Sequence, residues 1–189
     1  GALRLGIAGL GTVGGGVVKI IQKHGDMLRA RAGCEVEITA VSARDASKDR
    51  GVDLSSYDCV DNAVDLAMRD DVDVVVEMIG GSEGLAYELV KAALSNGKHV
   101  VTANKALLAH HGFALAQLAE ANAVSLSYEA AVAGGIPVIK AMREGFAGNQ
   151  VDAVFGILNG TCNFMLTAMR ETGRDFDVIL KEAQEAWYA

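Results

Sequence analysis

An apolar run of strand length, Leu3–Ala8, leads straight into Gly9-Leu-Gly11-Thr-Val-Gly14. A helical pattern begins directly behind it, with Val17, Val18, Ile21 and Leu28 on one apolar face. Strand, glycine turn and helix in that order leave few folds open. The three glycines do different things. Gly9 permits a tight turn, Gly11 lets backbone approach a ligand, and Gly14 lets the helix sit close to the strand. The unpaired N–H groups and positive dipole end of the helix then suit a pyrophosphate. Glycine-rich turns also occur in unrelated α/β proteins, and the flanking strand and helix are what favour a dinucleotide here.

The alternation continues. Val36, Ile38, Ala40 and Ser42 share a strand face, Val72–Ile79 is a third apolar strand interrupted by Asp73 and Glu77, and 98–102 and 124–128 are further strands. Between Ala43 and Asp71 the pattern is weak and polar and predicts a loop with short helices. Helices are predicted from about Gly84 to a stop at Asn96-Gly97, and from a cap at Asn104 to about Asn122. Strands spaced by helices predict a Rossmann-type, doubly wound parallel sheet of α/β class over residues 1–128.

From Glu129 the pattern changes. An Ala- and Gly-rich stretch leads to Ile136-Pro137, the only proline of the chain, opening an amphipathic helix to about Phe146. Residues 150–158 suggest a strand, Asn159–Asn163 precedes a helix through Met169, and 175–188 suggests another helix. Residues 129–189 are therefore expected to begin an incomplete α+β substrate and dimerisation domain.

Composition narrows function. A net charge of −7 argues against nucleic acid, which needs clustered cations, and no apolar run approaches the ~20 residues of a membrane span. Three cysteines without CxxC spacing suggest neither a disulfide framework nor zinc, so a reduced, cytoplasmic protein is the expectation. The four histidines show no ligand spacing, and His110-His111 is expected to be a solvated pair.

Three places at the sheet's carboxyl edge carry candidate chemistry. The second strand ends in Ser42-Ala-Arg-Asp45, without an acid placed for a ribose 2′-hydroxyl; Arg44 could hold a 2′-phosphate, which favours NADP over NAD, or be an ordinary surface arginine paired to Asp45. Gly80-Gly81-Ser82 ends the third strand. Lys105 follows the fourth strand, where an ammonium can stabilise oxyanion charge or relay a proton, although a solvated first-turn lysine is the plainer alternative. Glu129–Pro137 is either a small-residue hinge or an acid followed by turning backbone whose carbonyls could collect around a hard cation.

Four stretches, Gly9–Gly14, Gly97-Lys-His-Val-Val-Thr-Ala-Asn-Lys105, Tyr128-Glu-Ala-Ala-Val-Ala-Gly-Gly-Ile-Pro137 and Gly156-Ile-Leu-Asn-Gly-Thr-Cys-Asn-Phe164, together resemble the homoserine dehydrogenase family, in order and over essentially the whole chain. The resemblance implies NAD(P)-dependent interconversion of homoserine and aspartate 4-semialdehyde in threonine and methionine biosynthesis, by a homodimer. It implies that Thr12 and Val13 join Gly9, Gly11 and Gly14 at the cofactor, that Lys105 is the active-site lysine, and that Gly160 and Thr161 contact substrate. It also implies a sodium site at Glu129, Val132, Gly134 and Ile136.

The family pattern continues into an acidic stretch and a second catalytic lysine, whereas this chain runs Glu185-Ala-Trp-Tyr-Ala189. The 189-residue chain alone is therefore expected to bind cofactor with little or no turnover. Two alternatives compete. Another Rossmann oxidoreductase, such as the glucose-fructose oxidoreductase group, typically has Glu-Lys-Pro where Asn104-Lys105-Ala106 stands. A non-catalytic NADPH-binding regulatory module leaves Lys105, Ile136-Pro137 and Asn159–Thr161 without a reason.

Overall fold

The structure, a computed structural model, describes residues 1–45, 48–157 and 159–186. It divides into two compact units, Gly1–Ala131 and Val132–Ala189.

In the first unit the alternation becomes a six-stranded sheet. In chain order the elements are β1 (Leu3–Ala8), α1 (Thr12–Ala32), β2 (Val36–Ser42), β3 (Asp58–Cys59), β4 (Val74–Glu77), α2 (Leu85–Ser95), β5 (His99–Thr102), α3 (Lys105–Ala121) and β6 (Leu126–Ser127). The order across the sheet is β3-β2-β1-β4-β5-β6, with every neighbouring pair parallel. Parallel strands cannot be joined by tight hairpins, so the connections cross a face, and all but the β2–β3 one carry helix among the described residues.

The two faces have separate cores. Ile7, Val18, Ile38, Val41 and Val76 pack together on the α1 side. Ala40, Val75, Leu89, Leu94, Val100 and Leu107 pack together with α2 and α3 on the other. Burial of each large aliphatic side chain stabilises the fold by ~1.5–3 kcal/mol. Local sequence sets the helix ends. Asn104 accepts the Leu107 N–H at 3.0 Å to start α3, Gly33 at φ 74° closes α1, and Asn96 with Gly97 ends α2.

The polar 43–71 stretch holds a predicted short helix, the 3-10 turn Ala63–Met68, and also β3, which pattern alone does not indicate. Across β1 and β4, Asp73 accepts from the Arg4 backbone N–H and guanidinium, and this holds its carboxyl well below the usual range, at about 2.

In the second unit, α4 (Val138–Lys140) follows Pro137, and the coil widens into a π turn over Ala141–Gly145 closed by the Phe146 N–H on Ala141 O. Further on, α5 (Gly160–Thr172) and α6 (Phe176–Glu185) close on Met165, Ile179 and Ala183. The expectation of a strand over 150–158 is corrected: residues 150–157 have no strand structure, and Leu158 lies outside the described residues. Among the described residues of this unit no other strand exists to satisfy such a segment's backbone groups. The helix expected from 175 to 188 ends at Glu185, and its last two positions, 187 and 188, also lie outside the described residues.

Candidate cofactor site

The sheet order reverses between β1 and β4, where connections leave to opposite faces, and in open α/β sheets this crevice receives ligands. A cavity of about 430 Å³ opens there, lined among others by Gly9, Gly11, Arg44, Arg50 and Ile79. Its volume lies within the range of small-molecule sites.

The glycines divide their work as the spacing predicts. Gly9 stands at φ 90°, and a Cβ on it would come within 2.6 Å of Met78 O. A Cβ on Gly14 would overlap Gly9 O. Nothing lies within 4 Å of where a Cβ on Gly11 would be, so the missing side chain leaves open space on the cavity wall. Gly11 is also the N-cap of α1 and supplies no side-chain cap. Thr12 and Val13, the first residues of α1, are exposed, and the first-turn N–H groups lack intrahelical partners. That is a surface fitted to a diphosphate.

Arg44 is exposed on the cavity wall just beyond β2. Two cations that the sequence does not single out join it, Lys48 and Arg50. The Arg50 guanidinium donates to Leu10 O at 2.8 Å, Lys48 O at 2.7 Å and Asp45 O, so its charge is fixed beneath the glycine loop. No local signal in the polar 43–71 stretch could have found it, because its acceptors are backbone carbonyls of a folded loop.

Lys105 is the exposed first residue of α3 and lies outside the cavity lining. Beneath it stands a buried polar cluster. Glu77 and Thr102, both fully buried, are register partners on β4 and β5. Glu77 Oε1 accepts the Ile79 and Gly80 N–H groups at 2.7 and 3.0 Å, and Oε2 accepts the Thr102 hydroxyl at 2.5 Å. Thr102 Oγ1 accepts the Asn104 N–H at 3.0 Å, and the Asn104 amide donates to Gly81 O at 2.7 Å. An acid ending an apolar strand is the available signal, but in the sequence it reads only as an interruption.

The remaining candidates lie elsewhere. Glu129 starts a 3-10 turn, Glu129–Ala131, at the end of the first unit. Val132, Gly134 and Ile136 belong to the second, where Ala133, Gly134 and Gly135 all have positive φ; Val132 O and Ile136 O accept the Gly135 and Val138 N–H groups at 3.2 and 2.7 Å. Gly160 and Thr161 form the first turn of α5, capped by Asn159, rather than preceding it. The solvated His pair is corrected at one member: His110 is exposed as expected, whereas His111 bonds Glu83 at 2.7 Å and makes a tilted ring contact with Tyr87. Cys34, Cys59 and Cys162 are free thiols. No helix among the described residues is long and apolar enough to cross a membrane.

Sheet order, switch-point cavity and glycine geometry define a Rossmann dinucleotide-binding protein. Residues 9–129 match the model of the homoserine dehydrogenase NAD binding domain, and residues 137–189 match the homoserine dehydrogenase model. The chain belongs to the homoserine dehydrogenase family. It is 47% identical over 187 residues to the enzyme of Neisseria gonorrhoeae and 46% to that of Pseudomonas aeruginosa, covering 99% of this chain and 42% of each relative. The crystal structure of a homoserine dehydrogenase from Thiobacillus denitrificans is similar with a TM-score of 0.83 at 43% identity, covering all of this chain and 43% of that one. A hyperthermophilic archaeal homoserine dehydrogenase in complex with NADPH gives a TM-score of 0.76 at 25% identity, over all of this chain and 62% of that one. The chain thus spans about two fifths of the length of the curated relatives quoted.

Proposed function

We propose that this chain carries the cofactor-binding part and the beginning of the catalytic part of an NAD(P)-dependent homoserine dehydrogenase, and that NADP is the preferred cofactor. The observation that carries the reading is the uncapped start of α1 opening into a cavity whose wall also bears Arg44, Lys48 and Arg50. Gly9, Gly11, Thr12, Val13 and Gly14 hold the diphosphate, and Arg44 pairs with a 2′-phosphate as a charge-assisted donor. When bound, the nicotinamide supplies hydride exchange with the aldehyde carbon. Lys105 provides positive charge at the substrate oxygen, and Gly160 and Thr161 contact the substrate.

The support for substrate and chemistry is the family membership, together with the placement of Lys105 at the start of the helix after β5. Family likeness also supports a homodimer and a sodium ion held by oxygens of Glu129, Val132, Gly134 and Ile136, a hard donor set suited to such an ion.

The test is homoserine-dependent NADP reduction by the complete gene product, with KM for NADP and NAD compared in the wild type and Arg44→Ala. Turnover and a loss of NADP preference in the variant are expected. Cofactor binding without turnover would favour a regulatory module, and equal preference in both forms would remove Arg44 from the site. Replacing sodium by choline, with Glu129→Gln as control, tests the cation: a fall in activity confined to the wild type supports it.

A further inference from the structure

We infer that Glu77 is the positioning residue of the cofactor edge. It fixes the β4–α2 loop against the end of β5 and, through Thr102 and Asn104, the start of the helix that carries Lys105. The inference rests on the cofactor reading above and assigns a role to residues that reading does not use.

A carboxylate with no exposed surface is costly unless its lone pairs are satisfied. Glu77 is satisfied by neutral donors: two consecutive loop N–H groups on one oxygen and a hydroxyl on the other. A carboxylate oxygen can accept two bonds, so one side chain grips two successive residues at the start of the loop. The loop needs that grip. Gly80 and Gly81 both stand at φ 85°, in the left-handed region open chiefly to glycine, and glycines order at high entropic cost. Ile79, whose N–H Glu77 holds, is on the cavity wall, and Met78 beside it gives its N–H to Ala8 O of β1.

On its other oxygen Glu77 orients Thr102. The hydroxyl has a single proton; donating it to Glu77 leaves the lone pairs of Oγ1 toward the Asn104 N–H. Asn104 then caps α3 with its carbonyl oxygen and ties Gly81 O with its amide. The chain of bonds therefore closes on itself: Glu77 to Thr102, Asn104, Gly81, and back to Glu77 through the Gly80 N–H. Such a closed polar ring holds two strand ends, one loop and one helix start as a unit.

Three single variants of the 189-residue chain and one double variant test this by NADPH fluorescence titration, with circular dichroism confirming that each is folded at the temperature used. Glu77→Ala removes every bond that Glu77 makes, Thr102→Val removes the cross-strand link, and Glu77→Gln keeps an acceptor for both loop N–H groups while turning an amide donor toward Thr102. The Kd for NADPH is expected to rise about tenfold in Glu77→Ala and about threefold in Thr102→Val, and to return to within about threefold of wild type in Glu77→Gln. The Glu77→Ala/Thr102→Val pair should bind no more weakly than Glu77→Ala alone, because both act through one ring. Unchanged affinity across the folded variants, with only the melting temperature lowered, overturns the inference and leaves Glu77 a purely structural group. Glu77→Gln binding as weakly as Glu77→Ala overturns it as well. If Glu77→Ala does not fold, Thr102→Val and Glu77→Gln decide. Failure of the wild type to bind NADPH would instead count against the cofactor reading itself.

Discussion

Gly1–Ala131 and Val132–Ala189 draw on similar residues and use them differently. The first unit seals two apolar faces of one sheet, and Ile7, Leu89, Leu94 and Leu107 are wholly buried there. The second buries Met165, Ile179 and Ala183 between two helices while leaving Phe155 92% and Ile157 74% exposed, with Val151 and Val154 about half exposed. Apolar content is thus not what separates them. A parallel sheet gives each inner strand a partner on both edges and lets helices cover its two faces, whereas a helix pair offers one narrow seam.

Hydrogen exchange should show the difference most strongly. Amides of β1 and β4 are expected to exchange about a thousandfold or more slowly than those of 150–157, reflecting global against local opening. Comparable rates in both would erase the contrast. Next in size, Leu89→Ala should cost ~3 kcal/mol and lower the main thermal transition. Ile179→Ala should disturb only the α5–α6 pair, and a single transition shifted equally by both variants would show that the units melt as one.

Within the first unit, Gly11→Ala should raise the cofactor Kd about tenfold at an unchanged melting temperature, whereas Gly14→Ala should lose both binding and stability through its clash with Gly9 O. A stable, binding Gly14→Ala would contradict that geometry.

The smallest effect concerns Asp73. Its folded pKa is depressed by Arg4, so its contribution is present above the usual carboxylate pKa and is lost as pH falls from about 4 towards 2. The pair is about one third exposed, so the effect is modest. Thermal melts of wild type and Asp73→Asn should differ near pH 6 and converge near pH 2; parallel curves would show that the pair contributes nothing.

What can be seen in the sequence is what short stretches decide alone. The Asn104 cap, the Asn96-Gly97 stop and the spacing of Gly9, Gly11 and Gly14 each depend on a few neighbouring residues, and the structure shows all of them. Family membership is legible for a related reason, since its motifs are short and ordered. The misses depend on partners distant in sequence. Glu77 meets Thr102 25 residues on, and Arg50 meets Leu10 40 residues back. The apolar run 150–157 has strand composition, but composition supplies no neighbouring strand. His111 reads as solvated in the sequence because Glu83 and Tyr87 lie on a different connection.

The strand order has a consequence for how the chain comes into being. β1 is made first, gains β2 on one side, and receives its other neighbour only when Val74–Glu77 has been synthesised. At ~5–20 residues per second on a ribosome, that central edge stands open for seconds. An open strand edge is a template for mispairing, so variants that slow the arrival or docking of β4 should show themselves in yield and aggregation during synthesis before they show in the stability of the finished protein.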